Sequence, residues 1–134
     1  MGIKFRRKLY TRGSSYETTI PLPLLFKLDI THKKYSVLFQ YNPSEEKWYI
    51  QFEENTETKS KAKPSEFRRK LYTRGSSYET TIPRPLLFKL NLPHQKYTVL
   101  FIYEESNDAW SIDFVSEEKR KKKQENNNEK NVQQ

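Results

Sequence analysis

The chain has 134 residues, 34% of them hydrophobic, and a formal net charge of +8, which suits one compact domain with a basic surface. It contains no cysteine, which excludes disulfides, thiol nucleophiles and cysteine-ligated zinc and points to an intracellular setting. No apolar run nears the ~20 residues of a membrane span, and the first seven residues lack the apolar core of a signal peptide, so the expectation is a soluble, cytoplasmic protein without membrane attachment.

Residues 5–12 alternate as a strand does, with Phe5, Arg7, Leu9 and Thr11 on one face and Arg6, Lys8, Tyr10 and Arg12 on the other. Gly13-Ser14-Ser15 supplies a turn, and residues 16–20 form a β-branched and aromatic strand in which Tyr16, Thr18 and Ile20 share a side. Together they make a β-hairpin. Pro21-Leu22-Pro23 ends it, and Pro23 suits the first turn of a helix, where its missing N–H is not needed. Leu24, Leu25 and Leu28 give that short helix, residues 23–28, an apolar face. Residues 35–41 (YSVLFQY) and 47–52 (KWYIQF) read as two more strands joined through Asn42-Pro43-Ser44. The expected order is β-β-α-β-β.

The same order then returns at an offset of 62, as residues 67–83, a helix beginning at Arg84-Pro85-Leu86-Leu87-Phe88, and strands at 97–103 and 110–114. The chain therefore divides into repeat one (1–54), a polar linker (55–65), repeat two (66–118) and a basic, Asn/Gln-rich tail (119–134) expected to be disordered. A lone unit of about fifty residues is marginal, so the two repeats are expected to complete one core.

The segment FRRKLYTRGSSYETTIP stands unchanged at 5–21 and at 67–83, 17 of 17 positions, whereas 22–54 and 84–116 agree at only 17 of 33. Either sequence exchange has been confined to one end, or both copies must present the same surface to the same kind of target. Charge is uneven in the same way. In 5–21, Arg6, Arg7, Lys8 and Arg12 against Glu17 give +3, while the remainder of repeat one carries four basic and five acidic residues and that of repeat two three and six. Such a balance fits a polyanionic partner.

TRGSSYETTIPLPLLFKLDI resembles the signature of the AbrB/MazE/SpoVT superfamily of swapped-hairpin DNA-binding proteins, with Ile20-Pro21, Leu24, Leu28 and Ile30 at its marked positions and Ile82-Pro83, Leu86, Leu90 and Leu92 in the second copy. The resemblance spans nearly all of both repeats and neither the linker nor the tail. It implies a mostly β fold with one short helix per repeat, closed as a swapped-hairpin β-barrel. Here one chain would supply both halves as an intramolecular pseudo-dimer, with further self-association left open. Two departures stand out: His32-Lys33-Lys34 and His94-Gln95-Lys96 replace the usual Gly-Asp-like turn, and Gly13-Ser14-Ser15 lengthens the first hairpin loop.

The resemblance also implies double-stranded DNA as partner, bound through Arg6, Arg7, Lys8 and Arg12 and through Arg68, Arg69, Lys70 and Arg74. Guanidinium groups grip phosphate bidentately and reach guanine O6 and N7, and a β-hairpin pair fits a groove. Ser14, Ser15, Ser76 and Ser77 can add hydroxyl contacts to phosphate. The expected roles are transcription regulator or architectural protein; the alternatives are an antitoxin of the same superfamily and a general RNA or single-strand binder. Against an antitoxin stands the basic sign of residues 119–123. Most aromatics at strand positions read as core, with Tyr10 set among the basic side chains. The two histidines read as solvated loop residues, and no catalytic constellation, metal site or cofactor site is expected.

Overall fold

The computed structural model of the protein describes residues 3–55 and 65–117. Most of the linker and all of the basic tail lie outside them. Repeat one forms β1 (Lys4–Lys8), β2 (Tyr10–Arg12), β3 (Ser15–Thr19), a 3-10 helix (Leu22–Leu25), β4 (Tyr35–Asn42) and β5 (Lys47–Glu54). Repeat two forms β6 (Glu66–Lys70), β7 (Tyr72–Arg74), β8 (Ser77–Thr81), a 3-10 helix (Arg84–Leu87), β9 (Tyr97–Glu104) and β10 (Ala109–Ser116). The fold is mostly β, in two antiparallel sheets: six strands in the order β1-β9-β10-β5-β4-β6, and four in the order β2-β3-β8-β7. Among the described residues no helix is long and apolar enough to cross a membrane.

Period-two patterning builds the six-stranded sheet. Val37 and Phe39 of β4, Ile50 of β5, Val99 and Phe101 of β9 and Ile112 of β10 turn to one face and are at most 4% exposed. The second sheet lies over that face with Ile20 and Ile82, and Leu24, Leu25 and Leu86 of the 3-10 helices complete the core. The β4–β5 hairpin closes through Asn42, whose Oδ1 accepts the backbone N–H groups of Ser44 (3.1 Å) and Glu45 (3.2 Å), while Glu46 takes the left-handed conformation (φ 55°).

Strands cross between the repeats. β1 pairs with β9 of the second repeat, and β6 with β4 of the first. Side chains follow, since Phe5 packs on Trp110 with ring centroids 5.7 Å apart and Phe67 on Trp48 at 5.9 Å. At the centres of the sheets, β5 pairs with β10 and β3 with β8, each strand meeting its own counterpart.

Three expectations need correction. The closed barrel does not form; two open sheets take its place, because the chain leaves one sheet for the other at Leu9 and again at Leu71, and no ladder joins the sheets at their edges. For the same reason residues 5–12 are two strands rather than one. The break costs Lys8 its carbonyl's ladder partner, and the fully buried Thr18 supplies one, its Oγ1 donating to that oxygen at 2.8 Å; Thr80 does the same for Lys70 at 2.9 Å. Lastly, the expected α-helix is a 3-10 helix of four residues, bonded from Leu24 N–H to the Pro21 carbonyl at 3.1 Å. A run this short cannot offset the cost of α-helix nucleation, whereas i to i+3 bonds suit single turns.

Replacing Thr18 by Val keeps the shape and strands the Lys8 carbonyl. Urea unfolding should register a loss of about 1–3 kcal/mol for Thr18→Val and a similar loss for Thr80→Val; a midpoint unchanged in both would mean that the sheet-switching bend needs no such bond.

Candidate nucleic-acid interface

The four-stranded sheet is two hairpins laid end to end. In each, Gly13 or Gly75 occupies the left-handed region (φ 58° and 59°) at the head of the turn, where a side chain would be strained. The β2–β3 register sets Tyr10 opposite Glu17 and Arg12 opposite Ser15, so these four side chains point away from the core face that holds Thr18 and Ile20. Pairing of β3 with β8 runs from Tyr16 to Ile20, with the Ile20 N–H bonded to the Tyr78 carbonyl and the Ile82 N–H to the Tyr16 carbonyl, both at 2.8 Å. Four residues separate Tyr16 from the level of Tyr78, and three more lead from each tyrosine to its glycine. At ~3.3 Å per residue the two tips stand roughly 33 Å apart, at opposite ends of one sheet.

Two carboxylates lie in the outer face of this sheet. Glu17 and Glu79 are each only 5% exposed, though their strand positions point away from the core. Their contacts cross between repeats: the Tyr10 hydroxyl donates to Glu79 Oε2 and the Tyr72 hydroxyl to Glu17 Oε2. Arg12 Nε stands 3.3 Å from Glu17 Oε1, and Arg74 Nε 3.3 Å from Glu79 Oε1. Those Oε1 atoms are buried at ion-pair distance from an arginine without an aligned hydrogen bond among the described residues. Burial, followed by the hydrogen bond to the carboxylate, raises the ionisation of both tyrosines far above the ordinary phenol range.

Arg12 and Arg74 are thus anchored through Nε yet remain 40% and 44% exposed. Their charge is balanced locally by the two glutamates, so the sheet's centre is neutral. Tyr10 is not available as a stacking platform, being engaged with Glu79 and half-buried.

The remaining candidates belong to the other sheet. Arg6 and Lys8 on β1, and Lys70 on β6, are exposed. Arg7 shares the core-side face with Phe5, is half-buried, and turns back so that Nη1 donates to the Arg6 carbonyl at 2.7 Å; Arg69 repeats this on Arg68. Arg68 donates from Nε to Glu53 Oε2 at 3.2 Å. Arg6, Lys8, Tyr10 and Arg12 accordingly do not form one continuous strand face, as simple alternation predicts, since the bend at Leu9 assigns the first two to β1 and the last two to β2. Ser14 and Ser76 are exposed at the tips, and Ser15 and Ser77 half-buried behind them.

Sequence reasoning missed three features. Arg84 reaches the first tip, donating from Nη2 to the Ser14 carbonyl at 3.2 Å; its signal was the Leu22-to-Arg84 difference immediately after the identical segments. Glu17 and Glu79 were counted only as charge offsets. Phe26 and Phe88, equivalent in the two repeats, are each 75% exposed at the ends of the 3-10 helices. Of the histidines, His32 sits exposed with Nδ1 2.9 Å from Asp29 Oδ1. No protein-family model, curated protein or solved structure matches the chain.

The raised tyrosine ionisation has a definite sign. A phenol whose folded pKa lies above its unfolded value stabilises the fold fully below about pH 10, and that contribution fades as pH climbs toward the folded value. In an alkaline titration followed by ultraviolet absorbance, Tyr10→Phe with Tyr72→Phe should abolish the latest of the phases contributed by the nine tyrosines. A late phase that survives the double substitution would place the protected phenols elsewhere.

Proposed function

We propose that the protein binds double-stranded DNA through its two hairpin tips, as a transcription regulator or an architectural protein. One observation carries the reading: two tips of identical sequence, each with an exposed arginine and serine, stand at opposite ends of one sheet, and the residue count between them corresponds to roughly 33 Å, against about 34–36 Å for successive turns of B-DNA. A rigid sheet offering both tips at once suits two neighbouring grooves on one side of a duplex. Backbone N–H groups and hydroxyls of Gly13-Ser14-Ser15 and its copy add neutral donors for phosphate.

The finer architecture belongs to the same proposal. Exchange of β1 and β6 between repeats, and the pairing of β3 with its counterpart β8, support a single-chain pseudo-dimer of the swapped-hairpin kind that the signature at 11–30 resembles. The cytoplasmic setting, and duplex DNA rather than RNA or a toxin protein as the partner, follow from this reading.

Of the eight cations that the sequence singles out, Arg7 and Arg69 turn to the core side and six remain: Arg6, Lys8, Arg12, Arg68, Lys70 and Arg74. If each neutralises one phosphate, log K against log salt should fall with a slope near −5. Anisotropy titrations of a labelled duplex at several salt concentrations measure it directly. Arg12→Ala with Arg74→Ala should weaken binding at least tenfold, with unfolding midpoints recorded because both arginines also face buried carboxylates. Binding as tight as the parent's, or a preference for single strands in competition, would sink the proposal.

A further inference from the structure

The hairpins are identical in sequence, but what surrounds them is not. In the antiparallel register of β3 and β8, each tip lies beside the residue that follows the other repeat's Ile-Pro pair. At the first tip that residue is Arg84, exposed and held by its bond to the Ser14 carbonyl. At the second tip it is Leu22, 55% exposed and uncharged. A guanidinium has five N–H donors, so one bond to a carbonyl leaves most of the fork for an anion. No carboxylate pairs with Arg84 among the described residues.

A second difference points the same way. Arg68, on the strand leading to the second tip, is paired with Glu53 at 3.2 Å. At the offset of 62, Glu53 corresponds to Val115, so Arg6, leading to the first tip, has no acid at the matching position and stays exposed. Counting these groups, the first end carries Arg6, Lys8, Arg12 and Arg84 against Glu17, a net +3, whereas the second carries Arg68, Lys70 and Arg74 against Glu53 and Glu79, a net +1. Arg7 and Arg69 are equivalent and cancel in the comparison.

We propose that Arg84 is a phosphate-gripping residue and that the chain engages duplex DNA asymmetrically, holding phosphate more strongly at the β2–β3 tip than at the β7–β8 tip. This rests on the DNA-binding reading above. A homodimer repeats every substitution in both halves and is bound to symmetric recognition. A tandem chain can spend its two halves differently, and here the differences fall beside the tips while the tips themselves stay the same.

The test uses the full chain and a labelled duplex of arbitrary sequence, with affinity measured from about 50 to 200 mM salt. Arg84→Leu should flatten the slope of log K against log salt by about 0.9, which narrows the affinity loss across that range by about three- to fourfold. Leu22→Arg should steepen it by a similar amount. Binding by the parent with both slopes unmoved overturns the asymmetry alone. A parent that binds no duplex even at the lowest salt overturns the DNA-binding reading and this inference together.

Discussion

Everything in this fold depends on the first strand of each repeat being bonded to the other repeat. β1 completes the sheet edge at β9, and β6 does so at β4. Without them, two long strands whose inner faces carry Phe101 and Phe39 would each expose an unpaired edge. The tilted contacts of Phe5 on Trp110 and Phe67 on Trp48 add apolar area to the same joints. Because β5 and β10 meet at the sheet's centre, the core is continuous across the repeats. This is a physical solution to the small size of each unit, which alone has too little interior to offset the entropy of ordering its chain.

The same exchange dictates where the hairpins sit. Having started in the six-stranded sheet, the chain must turn at Leu9 to reach the second, and the hydroxyl of Thr18 meets the carbonyl which that turn leaves unpaired. Once β3 and β8 are side by side, Glu17 and Glu79 lie on one small patch, in contact with tyrosines from the opposite repeats. Burying carboxylates is unfavourable unless hydrogen bonds and cations compensate. Tyr72 and Arg12 compensate Glu17, and Tyr10 and Arg74 compensate Glu79. A slip of the β3–β8 register by one residue would carry both glutamates toward the apolar core, so the cluster penalises any other pairing.

Much of this was legible in the sequence, for reasons tied to particular residues. Alternation over 35–41 and 47–52 gave strands that extend only one or two residues further, to Asn42 and Glu54. The smallness of a unit gave the shared core, whereas the pairing of β5 with β10 and of β3 with β8 came from the structure alone. Alternation failed at Leu9, because period two describes a strand only while it stays in one sheet, and no Gly or Pro marks the bend. Helix patterning likewise gave the buried Leu24 and Leu25 but not the tighter 3-10 winding, which hydrogen-bond economy over one turn decides. Arg84 shows in the sequence only as a difference between the repeats, and its contact emerges only when the register places it against Ser14.

The crossed contacts also change what the identity of the two segments means. Every hydrogen bond in the Glu17–Tyr72 half of the cluster joins a residue of one segment to a residue of its copy, and the Tyr10–Glu79 half is its mirror. A change in one copy therefore alters a partner in the other, and an uncompensated one leaves a buried carboxylate short of a donor. Structural reciprocity bears on Tyr10, Glu17 and Thr19, whose contacts cross between the copies, while Arg12 and Thr18 make theirs within one copy. It does not reach Lys8 and Ser14, which are exposed in both copies, as are Lys70 and Ser76. Identity at those two positions is what a shared external target would explain, and the spacing of the tips, rather than the repetition of the segment as a whole, is the stronger support for the proposed duplex.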